Sequence, residues 1–285
     1  MPGFRHILCP VDFSERSKAI QPYVKAFVEK FNAKLTLLNA VEIPPPNIYG
    51  VDQSFPVLFD FASLEPHVLE RLKSFYDSPA TTRVVQLGDP AITIADYARE
   101  HEVDLIMMPT HGYGRFRSLL LGSVVSKVLH DVDCPVWTAP HTEDPERMQH
   151  LTCGNMLVAI DLGAGQADVI RGAAKLANEF GASLHLAHAV PGAERHPGET
   201  GGDEFSLFLL SSAREEIAKL QSQAGTSLGV SVAAGPVGKV VRKIALEYGS
   251  DLLVIGRGVM HETFGRLRTV SYNIIRESPC PVLSL

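Results

Sequence analysis

Short apolar runs alternating with stretches of helical periodicity organise this chain. Residues 6–11 are apolar, and Ala19, Ile20, Tyr23, Val24, Phe27, Val28 and Phe31 then recur at the spacing of one helix face. Pro22 must either kink that helix or sit in its first turn. Beyond it the pattern predicts strands over 34–41, 82–87, 104–108 and 134–139, and helices over 65–77, 89–101 and about 118–131. Nearly continuous apolar strands between amphipathic helices indicate a parallel sheet covered on both faces.

The same pattern is then written a second time. HILCPVDFS is echoed by NMLVAIDLG, AKLTLLNAVEIP by ASLHLAHAVPGA, and HDVDCPVWTA by RESPCPVLSL. Asp12 and Asp161, Gly88 and Gly235, and Cys134 and Cys280 recur at about 147 residues, the length of a domain and not of a solenoid unit. The expectation is two tandem, doubly wound, five-stranded, mainly parallel α/β domains of Rossmann-like kind, over 1–142 and 153–285, joined through the polar stretch 141–155. An open apolar edge is a liability, so the final strands 134–139 and 280–285 are expected to pair and close the halves into a pseudo-twofold dimer within the chain. A further homodimer stays open. Ligands of such sheets bind beyond the carboxyl ends of the strands, where strand order reverses. Asp12, Val41 and the segment 109–123 all follow strands on that edge. The long segments 42–63 and 191–206 each follow a second strand; the first, rich in aromatics and prolines, is either a ligand cover or a surface excursion.

Composition narrows the function classes. The 285 residues are 45% hydrophobic and 20% charged, and the formal net charge of −6 argues against binding nucleic acid by phosphate neutralisation. No run reaches the roughly 18 apolar residues of a membrane span, and the first residues lack the form of a signal peptide, so a cytoplasmic protein is expected. The four cysteines form no CxxC pair and read as small buried hydrophobes and free thiols. Eleven scattered histidines, with no H-E-x-x-H motif and no nucleophile elbow, offer no dedicated catalytic constellation.

The segment PTHGYGRFRSLLLGS, residues 109–123, carries the most specific chemistry. Glycines after a strand let backbone N–H groups approach an oxyanion, and the start of the next helix adds unpaired N–H groups and a positive dipole end. Ser123 adds a hydroxyl, and Arg115 and Arg117 add guanidinium groups suited to phosphate. It is neither a Walker loop nor G-x-G-x-x-G. By spacing alone, turn glycines beside an ordinary helix explain it equally well. Asp12 likewise has two readings: an acceptor for ligand hydroxyls, or the N-cap of the first helix with Glu15 completing a capping box.

Taken together, ILCPVDFS, GDPAITI, PTHG-YGRFRSLLL-GS and CPVW resemble the universal stress protein family, and the resemblance covers both halves. It implies an adenine-nucleotide-binding fold with ATP held by Pro10, Asp12, Val41, Pro109, Thr110, His111, Gly112, Gly122, Ser123 and Val124. Asp12 would contact the nucleoside, the Val41 backbone the adenine, and the glycine loop with Ser123 the phosphates, bridged where present by Mg²⁺. Pro109 departs from the family's loop, where a glycine stands; proline brings no N–H. In the second copy Arg268-Thr269 replace Gly122-Ser123, and that site is expected to be degenerate. The resemblance implies a cytoplasmic stress-response protein that binds ATP in its first domain and acts as a sensor or regulator, with at most slow ATP hydrolysis or autophosphorylation. The alternative is a nucleotide-free interaction module, built as a pseudo-dimer, that contacts a client protein. A nucleotidyl-transfer enzyme would need a further motif that is absent from the sequence.

Overall fold

The structure, a computed structural model, describes residues 3–42, 61–78, 80–111, 121–140, 153–192, 202–257 and 266–285, without the side chains of 202, 203 and 266–269. Most of the segment 42–63, the loop residues 112–120, the joint 141–152 and residues 193–201 and 258–265 lie outside it. The chain divides into two units, one over Phe4–Arg115 and Gly122–Cys134, the other mainly Pro135–Leu285.

In the first unit the elements follow the apolar pattern. They are β1 (His6–Pro10), α1 (Glu15–Ala19), α2 (Gln21–Phe31), β2 (Lys34–Val41), α3 (Phe61–Phe75), β3 (Thr82–Leu87), α4 (Pro90–Glu100), β4 (Leu105–Met108) and α5 (Ser123–Asp131). The single helix expected over 19–31 is two, broken at Ile20, and Pro22 takes the first turn of the second, where its missing N–H costs nothing. Helix α3 starts before its expected residue 65 and carries Pro66 inside. Helix α5 starts at Ser123, later than the expected 118. Ahead of α4, Gly88 takes φ +151°, where an L side chain is strained, and a Cβ there would stand 3.0 Å from Thr93 Oγ1. Asp89 then caps α4 by accepting from the N–H groups of Ala91 and Ile92.

The four strands run parallel in the order β3-β2-β1-β4. Ile7, Leu8, Leu37, Leu38, Leu105 and Ile106 are fully buried, as burial on both sheet faces requires. The chain winds outward from β1 through β2 to β3, then returns to the other side of β1 for β4. Strand order therefore reverses at β1, and the carboxyl ends of β1 and β4 flank the crevice where such sheets bind ligands.

The second unit repeats the plan with β6 (Asn155–Ala159), α6 (Gln166–Phe180), β7 (Ser183–Val190), α7 (Gly202–Ala224), β8 (Gly229–Ala234), α8 (Val237–Tyr248), β9 (Leu252–Ile255), α9 (Arg266–Glu277) and β10 (Val282–Ser284). It also takes in β5 (Val136–Thr138), the last strand of the first repeat. The order is β5-β10-β9-β6-β7-β8, parallel except for β5 and β10, which run antiparallel with Trp137 opposite Leu283. The expected pairing of the two final strands is thus present. The five-strand expectation changes in its bookkeeping: the first unit keeps four strands, because the fifth builds its ladder on β10.

Candidate functional site

Three of the first unit's strands end together on one edge, and the expected site residues follow those ends. Pro10 closes β1 and pairs in register with Leu38, and the Val11 N–H donates to the Leu38 carbonyl at 2.8 Å, which carries the β1–β2 ladder up to Asp12. Asp12 is half-buried. Its Oδ1 accepts from the Ser14 N–H at 2.9 Å, from the Ser14 hydroxyl at 2.7 Å and from the Ser17 hydroxyl. Its Oδ2 takes no hydrogen bond among the described residues. One oxygen is fixed by three donors, and the carboxylate keeps acceptor capacity for ligand hydroxyls.

This geometry corrects one reading of Asp12. It is not the N-cap of the first helix, and Glu15 completes no capping box. Ser14 is the cap: its φ and ψ are extended, and its hydroxyl accepts from the Ser17 N–H at 3.1 Å. Asp12 instead holds the capping serine and Ser17 in place. Between them Phe13 takes φ +63°, a region a bulky L residue rarely occupies. The Arg71 guanidinium lies 3.9 Å from the centre of the Phe13 ring. A strained residue beside a carboxylate at a strand end is a mark of a functional turn.

Val41 closes β2, half-buried, opposite Leu87, and its carbonyl accepts from the Gly88 N–H at 3.0 Å. That bond ties the GDPAITI segment to the strand edge and fixes the backbone on which a base would rest. After β4, Pro109, Thr110 and His111 are all buried. The Gly122 N–H donates to the Thr110 carbonyl at 3.0 Å, closing the loop onto its own start. A Cβ on Gly122 would stand 3.1 Å from that carbonyl and 3.5 Å from the His111 Cα, so only glycine permits the approach. Ser123, exposed, and Val124, half-buried, then open α5, whose first N–H groups have no side-chain cap. Gly112, Arg115 and Arg117 lie outside the described residues.

Two groups went unnoticed in the sequence. The Asn39 amide donates to the Val11 carbonyl at 2.7 Å and braces the turn that carries Asp12. It is the one amide side chain in the apolar run LTLLNAV, which was the available signal. Ser17 is buried and is Asp12's third donor. Cys9, just before Pro10, is no nucleophile: burial, and next the Asp12 charge, push its thiol up to about 12. Among the described residues no group of side chains is arranged to hold a metal ion, and no helix is long and apolar enough to cross a membrane.

The second copy keeps the frame and changes the groups. Asp161, exposed, accepts at Oδ1 from the Gly163 N–H at 2.8 Å, with no serine pair around it. His188 stands where Asn39 stood, its Nδ1 2.8 Å from the Ile160 carbonyl. Gln166 replaces Ser17, and Gly256 replaces Pro109. Arg268 and Thr269 lie in α9 with side chains outside the description, and so does Gly258.

The chain matches the model of the universal stress protein family twice, over residues 3–140 and 153–285. A universal stress protein of Thermus aquaticus is 30% identical over 133 residues, covering 47% of this chain and 96% of its own. One from Mycobacterium tuberculosis is 27% identical over 205 residues, 67% of each chain. Among solved structures, a universal stress protein of Archaeoglobus fulgidus covers 98% of this chain and 95% of its own, with a TM-score of 0.66 at 23% identity, a likeness of fold.

Proposed function

The chain belongs to the universal stress protein family, and from that premise we propose that its first repeat binds ATP and that binding makes the protein a cytoplasmic stress sensor or regulator. The observation that carries the reading is the Thr110–Gly122 closure, which sets the backbone of 109–111 beside the start of α5 with no side chain between. Unpaired N–H groups and the dipole of that helix favour phosphate oxygens there. Asp12 supplies an oriented acceptor for ribose hydroxyls, and the Val41 edge supplies backbone groups for the base. The residues from Pro10 to Val124 assigned to ATP form the proposed site. Mg²⁺, when present, would be held by the phosphates. No residue here is placed to activate water, so any hydrolysis is slow.

Isothermal titration with ATP, ADP, AMP and cyclic AMP, with and without Mg²⁺, tests the reading. The expected result is one ATP per chain. Two equivalent ATP sites, or none, would overturn it.

A second reading, contact with a client protein, has its own observation. Phe205, Leu207 and Phe208 on α7 are each more than half exposed. A Phe205→Ser, Phe208→Ser pair that abolished stress protection while leaving ATP titration intact would favour it.

A further inference from the structure

The second unit contains a cavity at the carboxyl ends of β6, β7 and β9, the strands equivalent to β1, β2 and β4. Its volume is about 320 Å³, the size of a small-molecule site. Ala159, Val190, Val241, Ile255 and Ile274 give it an apolar wall. Gln166 and His188 also line it, with one carboxylate, Asp161, and one guanidinium, Arg257.

Gln166 is the group that needs explaining. It is the first residue of α6 and only 2% exposed, yet its Oε1 has no hydrogen-bond partner. Turning the amide over would only exchange a buried acceptor for a buried donor. The chain makes room for this side chain at a specific point: a Cβ on Gly256 would stand 2.8 Å from Val169 Cγ2 and 3.1 Å from Gln166 Nε2. An amide kept buried without a partner is costly, and native structures retain one where something else completes it. The ring of His188 adds a second acceptor. Its Nδ1 is committed to the Ile160 carbonyl, so in the neutral ring with Nδ1 as donor, Nε2 accepts.

We propose that this cavity binds an uncharged, ring-bearing small molecule of nucleoside size, with an N–H or O–H donor that completes the Gln166 amide. The wall selects against a phosphate. It offers one positive and one negative side chain and is otherwise apolar, so an anion would lose its hydration without a matching set of donors. The second repeat therefore does not lack a site; it has exchanged an anion site for a neutral one.

Hydrogen exchange read by mass spectrometry on the full chain tests this, with adenosine and AMP as probes. Millimolar adenosine should protect peptides covering 159–170 and 252–257, and AMP at the same concentration should protect them far less. Gln166→Met keeps the length and removes the amide. It should weaken adenosine protection by about tenfold in affinity while leaving the melting temperature equal or higher, since an unpaired buried polar group is gone. A Gln166 that served only packing or held a trapped water would instead lose stability or leave adenosine unaffected. Val190→Trp, at a half-exposed position on the wall, should block the cavity by volume. Protection by adenosine confined to 8–14 and 37–42, equal protection by AMP, or a Gln166→Met chain that binds adenosine as wild type would each overturn the proposal. ATP binding at the first repeat is read on separate peptides, so either result stands without the other.

Discussion

Asp12 and Asp161 occupy the same place in two copies of one plan, and their surroundings differ in kind. Asp12 is half-buried, with two serine hydroxyls and a backbone N–H on one oxygen; Asp161 is exposed and holds one N–H. Two residues further on, Ser14 caps a helix while Gly163 caps nothing, and a Cβ there would stand 2.9 Å from Asp161 Oδ1. The first copy fixes its carboxylate, as recognition of a defined polyol requires. The second frees its carboxylate and buries an amide. Duplication preserved the sheet and its switch point because those are set by apolar runs. It released the polar groups at the strand ends, where a change of one side chain alters the ligand and not the fold.

The largest effect should come from filling the loop of the first copy. Gly122→Arg places a long side chain where even a Cβ stands 3.1 Å from the Thr110 carbonyl. Several charge-assisted hydrogen bonds to phosphate would be lost, each worth about 1.5–3 kcal/mol. ATP affinity should fall at least tenfold by titration, with Ser123→Ala costing less because one donor goes. Wild-type affinity in Gly122→Arg would remove the function assigned to this loop.

A sharper cut exchanges the packing pairs. Ser17 with Pro109 in the first copy corresponds to Gln166 with Gly256 in the second. Ser17→Gln forces a long amide into a fully buried position and strips Asp12 of one donor. Overpacking of this kind costs about 1–3 kcal/mol. Adding Pro109→Gly should recover part of that loss, because glycine is what makes room for Gln166. Urea unfolding of the two single variants and the double measures the coupling. Strict additivity would mean that the two positions do not communicate.

The duplication, the alternation of elements and the pairing of the last strands were all legible, because each rests on runs of apolar residues that tolerate no other reading. The candidate site was legible as a set of strand ends but not as a mechanism of support. Asp12 in DFSER reads as a cap, since Asp followed three residues later by Glu fits the capping-box pattern. Only the backbone shows that Phe13, at φ +63°, turns the chain so that Ser14 takes that role. Gln166 was invisible for a different reason. A glutamine at a helix start looks solvated in sequence, and its burial depends on Gly256, ninety residues away in the chain.

Asp89 and Pro236 give a smaller contrast. Asp89 caps α4 with two N–H bonds and meets Lys127 Nζ at 3.1 Å; Pro236, its counterpart, caps α8 with no side-chain bond. Asp89→Ala should cost about 1 kcal/mol, mostly from the cap and little from the exposed ion pair. Pro236→Ala should not show that loss. Equal losses in thermal or urea unfolding would mean that the cap contributes nothing particular to the first copy.

The smallest effect is a pH dependence shared by both copies through exchanged positions. In the first, His6 on β1 is buried, with Nε2 2.9 Å from Thr36 Oγ1 and Nδ1 3.1 Å from the His101 carbonyl. In the second the histidine stands at the position of Thr36: His185 is half-buried, bonded to Ser231 Oγ at 2.9 Å and stacked on Tyr248. Burial is the main cause that lowers both below the ordinary value of 6.5; at His6 the His101 carbonyl opposes it and Lys34 reinforces it. The unfolded chain therefore takes up these protons more readily than the folded one. Their stabilising contribution is complete above about 6.5 and is lost as pH falls through the lower folded values. Asp89 acts in a more acidic window. The Ile92 N–H and then Lys127 hold its carboxyl below 3.8, so its contribution is present above that value and lost beneath it. Urea midpoints should be flat from pH 8 to about 7, then decline towards pH 5. His6→Gln should remove more of that decline than His185→Gln, because His6 is the more enclosed ring, and the loss below about pH 4 should survive in both. An unchanged slope in the double variant would assign the acid sensitivity to other groups.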